Sequence, residues 1–248
     1  MCFELDSLPP IPVIAGAAVS HEHLELEATD GNSFAAFAAR PDDPAPVGIV
    51  ILPDVRGLYR FYEELALRFA ERGYAAVTFD YFGRTAGVSE RDDEFAYMEH
   101  VARTTPAGIQ ADVAAVVAYL RELGARKLFT VGFCFGGRNS WLAAAGGHGL
   151  AGAIGFYGNP GERDGRPGPT AYAAEIEAPI LALQAGVDQN ITPELNAAFD
   201  AALTDAAVEH ELVVYEGAPH SFFDRKAEEY QESSDDAWRR TLDFIERH

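Results

Sequence analysis

The sequence predicts an α/β protein: a mostly parallel, eight-stranded sheet with helices on both faces, led by an N-terminal antiparallel hairpin. Three observations predict it. Short unbroken apolar runs such as Val47–Leu52 (VGIVIL) have the length and composition of strands buried on both faces. Segments with apolar residues at helical spacing alternate with these runs, as crossovers between parallel strands require. The first two strand-like segments are instead split only by Asp30-Gly31 and its flanks, a turn that joins antiparallel neighbours.

The elements follow in order. Residues 1–20 read as an irregular arm broken by Pro9, Pro10 and Pro12. His23–Thr29 and Ser33–Arg40 form the hairpin, and the Pro-rich segment 41–46 is a linker loop. Val47–Leu52 is the first buried strand. Phe61, Leu65 and Phe69 then recur every four residues and predict a helix that Gly73 stops. Tyr74–Phe79 is the next strand, and residues 81–106 read as loop or short helix. Ile109, Val113, Val116 and Leu120 mark one helix face, ending near Gly124. Lys127–Phe133 is a strand with a helix starting just after it. Leu150–Tyr157 is another, followed by a Gly/Pro-rich loop. Pro179–Gln184 precedes a helix that begins around Pro193 with Thr192 as its cap. Glu211–Tyr215 is the last strand, and Trp238, Leu242 and Ile245 mark the final helix. Residues 1–248 are expected to form one domain. A flavodoxin-like sheet would be shorter and lack the hairpin, so the pattern fits the α/β-hydrolase layout.

Composition bounds the function. The chain has 248 residues, 48% of them hydrophobic, and a formal net charge of −20. Such an acidic surface repels phosphate backbones and anionic lipid, which excludes nucleic acid and membrane surfaces as partners. Two cysteines, Cys2 and Cys134, are too few for a disulfide scaffold. The N-terminal segment carries Glu4 and Asp6 and no basic region, so a secretory signal is not expected. No run approaches the roughly 18 apolar residues of a membrane span. The expectation is a cytoplasmic protein with free thiols, monomeric or a small homo-oligomer. No cofactor motif stands out, and no metal site is expected. His21-Glu22-His23 is the nearest metal candidate, but two strand histidines on one face lack a third ligand.

Ligands of parallel sheets bind beyond the carboxyl ends of the strands, so chemistry is sought in the loops that follow them. Gly132-Phe133-Cys134-Phe135-Gly136 follows a strand and opens a helix. It has the form of a G-x-S-x-G nucleophile elbow with Cys in place of Ser. The helix N-terminus behind Cys134 favours thiolate over thiol, and the Phe135 amide is a natural oxyanion donor. A buried structural Cys beside a tight turn is the bland alternative. Four histidines follow Cys134. His248 is terminal, His148 sits at the far end of the elbow helix, and His210 precedes the last strand. His220 alone follows that strand, at the edge where chemistry is expected. Asp188, after the preceding strand, is the matching acid in the order nucleophile, acid, histidine. Glutamine amidotransferases also carry G-x-C-x-G but need a late His-x-Glu pair, which no histidine after Cys134 provides.

With these residues in place the chain resembles the dienelactone hydrolase family. The matching segments include Gly73-Tyr74-Ala75-Ala76-Val77, Asp80-Tyr81, Arg84, the elbow, Gly155-Phe156-Tyr157-Gly158, Gly186-Val187-Asp188 and Gly217-Ala218-Pro219-His220-Ser221-Phe222. The resemblance implies an ester or lactone hydrolase working through an acyl-thioester on Cys134, with His220 as base and Asp188 as its orienter. It implies Val55 as the second oxyanion amide. It also places Tyr157 at the substrate site and implies Arg84 and Arg225 as holders of a substrate carboxylate, although Arg225 lies five residues past His220 where the family pattern has four. Asp54 stands where the family has a Glu that modulates the resting thiol.

The expected substrate is thus a small-molecule ester or lactone, with a carboxylate-bearing one suggested by Arg56, Arg84 and Arg225 on segments near the catalytic edge. Two alternatives stay open: a promiscuous esterase or phosphotriesterase using the same site, and a non-catalytic ligand or redox sensor on the same scaffold. A sensor would have no need of Asp188 and His220 together, and Cys2 would be a weak resolving partner.

Overall fold

The computed structural model describes residues 3–4, 6–92 and 94–248, so Cys2 lies outside the described residues. Strands β1 (Val19–Glu27) and β2 (Ser33–Pro41) form the hairpin. β3 (Val47–Leu52), helix α1 (Arg60–Ala70) and β4 (Ala75–Phe79) follow. Two short helices, α2 (Gly83–Ala86) and α3 (Tyr97–Val101), occupy the segment expected as loop or short helix, and α4 (Pro106–Glu122) closes it. Then come β5 (Lys127–Phe133), α5 (Phe135–Ala144), β6 (Gly152–Phe156), a 3-10 turn at Pro169–Glu175, β7 (Ile180–Val187), α6 (Pro193–Asp205), β8 (His210–Pro219) and α7 (Gln231–Arg247). Thr105 and Thr192 cap α4 and α6 by accepting the Gly108 and Leu195 amides.

The strands make one eight-stranded sheet in the order β1-β2-β4-β3-β5-β6-β7-β8. β1 and β2 pair antiparallel, and β2 is antiparallel to β4. All remaining pairs are parallel. Helices cover both faces, as expected. Phe61, Leu65 and Phe69 of α1 and Phe244 and Ile245 of α7 pack on one face. Ile109, Val113 and Leu120 of α4, with Trp141 of α5 and Phe199 and Leu203 of α6, pack on the other. Among the described residues no helix is long and apolar enough to cross a membrane.

Strand ends depart from the sequence reading where the apolar pattern fades. β1 begins at Val19 and is largely exposed, so its VSHEHLELE carries little hydrophobic signal before Leu24. β7 extends to Val187 and β8 to Pro219, through stretches in which buried Ala185 and Ala218 alternate with exposed residues. This extension positions the site. The register pairs Ala185 with Tyr215 and then, across a bulge, Val187 with Pro219. The residues that follow, Asp188 and His220, therefore leave the sheet side by side.

Candidate active site

β5 lies between β3 and β6 at the middle of the sheet. The turn at its end is very tight. A Cβ on Gly132 would stand 2.0 Å from the Gly136 carbonyl oxygen, and one on Gly136 would stand 2.0 Å from that of Leu52. Only hydrogen fits at either place. The turn forces Cys134 to φ 55, ψ −111, a conformation that costs a non-glycine residue about 1–3 kcal/mol. In return the thiol is held, part-exposed, at the N-terminus of α5, with the Cys134 amide bonded to the Phe156 carbonyl at 3.0 Å.

His220 Nδ1 lies 2.6 Å from Asp188 Oδ2, and His220 is also hydrogen-bonded to Cys134. Asp188 has only 1% of its side chain exposed and accepts a second bond from the Asn190 amide at 2.8 Å. Burial raises the Asp188 pKa, but hydrogen bonds from His220 and the Asn190 amide outweigh it and hold the carboxyl below its ordinary value. Burial likewise lowers the His220 pKa, and the bonds to Asp188 and Cys134 reverse this, raising the imidazole to about 9. The arrangement favours an imidazolium beside a thiolate at neutral pH. The other later histidines are engaged elsewhere: His148 with Gln110 Oε1 at 2.8 Å, His210 with Asp200 at 3.3 Å, and His248 near Glu209.

Phe135 opens α5, so its N–H has no carbonyl partner within the helix. The contact of Gly136 with Leu52 and Pro53 lays the Val55 loop directly against that first turn. Asp54 organises this loop. Its amide donates to the Tyr62 hydroxyl at 2.9 Å, and its carboxylate accepts the Arg56 amide at 2.8 Å and the Tyr59 hydroxyl at 2.9 Å. The Arg56 guanidinium joins the same cluster, over the Tyr59 ring. Sequence reasoning missed Tyr81. Its hydroxyl donates to the Pro53 carbonyl at 2.8 Å and its ring meets Phe135 edge-on. Burial and the nearby Asp54 carboxylate push its pKa well up, so it stays a neutral donor. Tyr81 falls in the matching Asp80-Tyr81 segment, but nothing local in the sequence shows that its hydroxyl reaches Pro53.

Tyr157, at φ 37 after β6, is buried with its ring centroid 4.9 Å from that of His220. Arg84 and Arg225, expected to hold a substrate carboxylate, bond to groups of the protein itself. Arg84 Nε and Nη2 donate to Asp30, and Nη1 bonds Asp112 at 2.5 Å, so its fork is filled by protein carboxylates. Burial drives this pairing: Asp112 has no exposed side chain and needs a cation. The Arg225 amide donates to the Leu8 carbonyl and its guanidinium to that of Ile11 at 2.7 Å, which ties it to the N-terminal arm. Each of Arg56, Arg84 and Arg225 is thus engaged by protein oxygens. Arg138, also missed, binds the carbonyls of Asn159, Gly161, Arg166 and Pro167 and so fixes the Gly/Pro-rich loop beyond Tyr157.

Comparison with known proteins adds to this geometry. The profile described as "Dienelactone hydrolase family" matches residues 34–248. A protein of Escherichia coli (strain K12) named "Putative carboxymethylenebutenolidase" is 28% identical over 230 residues, covering 89% of this chain and 84% of its own. A Bradyrhizobium sp. protein named "Probable 2-oxo-3-(5-oxofuran-2-ylidene)propanoate lactonase" is 26% identical, covering 89% of this chain and 92% of its own. Among solved structures, that of a "Putative Dienelactone Hydrolase" from Klebsiella pneumoniae superposes with a TM-score of 0.82 at 28% identity, over 93% of this chain and all of the other.

Proposed function

Because the chain belongs to the dienelactone hydrolase family, and is a hydrolase of that α/β-hydrolase fold, we propose that it opens carboxylic ester or lactone bonds through a cysteine acyl-enzyme. The observation that carries this reading is His220 bonded at once to Asp188 and to Cys134 at the strained elbow. In the reading, Cys134 thiolate attacks the substrate carbonyl carbon. The oxyanion that forms is met by the amides of Phe135 and Val55. The tetrahedral intermediate collapses, the C–O bond breaks, and the leaving alkoxide takes the proton from His220. Neutral His220 then removes a proton from water, which attacks the thioester and releases the acid and the Cys134 thiolate. Asp188 keeps the imidazole in one tautomer throughout. Lactones are the substrates that the names of the relatives from Escherichia coli and Bradyrhizobium suggest.

The test is mass spectrometry of the protein after incubation with a panel of esters, lactones and phosphotriesters. An acyl adduct confined to the peptide bearing Cys134, with Cys134→Ala inactive, supports the reading. Turnover of esters by Cys134→Ala at the parental rate would end it, and a preference for phosphotriesters would move the activity to the alternative class.

A further inference from the structure

We infer that the N-terminal arm is a positioning element for His220, an inference that rests on the reading of His220 as the partner of Cys134. The arm lies outside the family match, which begins at residue 34. Its contacts nevertheless converge on the segment that follows His220. Ser7 is fully buried, and its hydroxyl donates to Asp224 at 2.6 Å. The Leu8 carbonyl accepts the Arg225 amide at 3.0 Å, and the Ile11 carbonyl accepts the Arg225 guanidinium. Ile11 is itself fully buried. Phe3 is 4% exposed and stacks on Phe61 at 3.8 Å between centroids, while its ring meets Phe133 and Tyr157. These two flank the site, Phe133 preceding Cys134 and Tyr157 lying against the His220 ring. Lys226 also pairs with Glu4 and Asp6, but these pairs are exposed and contribute little.

The segment needs such support. Ser221, directly after His220, has φ 62, a left-handed conformation that a serine keeps only when its surroundings hold it. Phe222 and Phe223 anchor it from the core side, and Ser234 donates to the Phe222 carbonyl at 3.1 Å. The arm holds Asp224 and Arg225. His220 thus begins a strained segment gripped from two sides, one of them built from residues at the far end of the sequence. The Arg225 position, which in the family reading would face substrate, serves the arm instead.

The experiment uses full-length Ser7→Ala/Arg225→Gln, with Arg225→Lys as the conservative variant. Two quantities are read: kcat and KM on 4-nitrophenyl acetate, and the pH profile of Cys134 alkylation by iodoacetamide, resolved from Cys2 by peptide mass spectrometry. The inference predicts kcat lowered by roughly tenfold with KM little changed, since misplacing a catalytic group by about 1 Å costs up to on the order of 100-fold. It also predicts slower alkylation at neutral pH and recovery of most of both in Arg225→Lys. A purely structural arm would lower the melting temperature and leave the alkylation profile and kcat per folded molecule at parental values, and that result overturns the inference. Should the double variant not fold, Ser7→Ala alone is judged by the same two readings. If esters prove not to be substrates, the hydrolase reading fails separately, because alkylation reports the Cys134–His220 pair without any substrate.

Discussion

Asp188→Asn tests the electrostatics of the site most directly. A His220 pKa raised from 6.5 to about 9 corresponds to roughly 3 kcal/mol favouring the protonated ring. That preference is supplied against burial by two partners, Asp188 and Cys134. The two partners together supply more than this net amount, so if each supplies half, removing the Asp188 charge returns at least about 1.5 kcal/mol, a tenfold or larger change in the balance between imidazolium–thiolate and neutral imidazole–thiol. In the parent the His220 ring stays protonated at neutral pH and loses its proton as pH rises through about 9. In Asp188→Asn the neutral pair gains, so Cys134 alkylation near pH 7 should slow about tenfold. Ester turnover should fall further, by on the order of 1000-fold, because an Asn side chain also permits the wrong imidazole tautomer. Iodoacetamide alkylation from pH 5 to 10 and kcat over the same range provide the assay. An unchanged neutral alkylation rate in a folded variant would refute the assignment of Asp188 as the group that charges His220.

Other variants test the rest of the site. Cys134→Ala and His220→Ala should each remove most ester turnover while the double variant loses little more, since residues of one catalytic unit are non-additive; losses that multiply would dissolve the triad. Gly136→Ala drives a Cβ to 2.0 Å from the Leu52 carbonyl oxygen, so it should cost about 3 kcal/mol or prevent folding, measurable by urea unfolding. Arg84→Ala strands the buried Asp112 and, with Arg84 a quarter exposed, should cost about 2 kcal/mol of stability. It should lower kcat/KM equally for an ester bearing a free carboxylate and for its amide; a loss confined to the carboxylate ester would return Arg84 to substrate recognition. Tyr81→Phe should reduce kcat with KM nearly constant if the Pro53–Val55 loop needs its hydrogen bond.

Much of the architecture is legible because local pattern and final environment agree. Val47–Leu52 is apolar throughout and lies in the middle of the sheet, and the glycines flanking Cys134 announce a turn that nothing larger fits. His220 and Asp188 are readable from position alone, because the order of strands fixes which loops share an edge. What escaped depends on partners distant in sequence. Arg84 looks like an open cation until Asp30 and Asp112 arrive from the hairpin turn and α4. Arg225 meets carbonyls more than two hundred positions away, which no local spacing encodes. Asp54 resembles a modulator of the thiol, yet its oxygens are occupied by Arg56 and Tyr59 of its own loop. The ends of β7 and β8 run past the sequence reading because the ladder continues through Gly186 and Gly217 and exposed residues with no apolar pattern.

The pairing of Val187 with Pro219 has a bearing on synthesis of the chain. Cys134 emerges from the ribosome with β5 and the start of α5, but its imidazole partner follows β8, eighty-six positions later. Until that last strand aligns against β7, the thiol has neither His220 nor the carboxylate behind it. In the proposed reaction, ionisation of Cys134 is thereby tied to completion of the sheet. On the proposed reading, a chain in which β8 is not yet in place lacks the partner that would charge the sulfur.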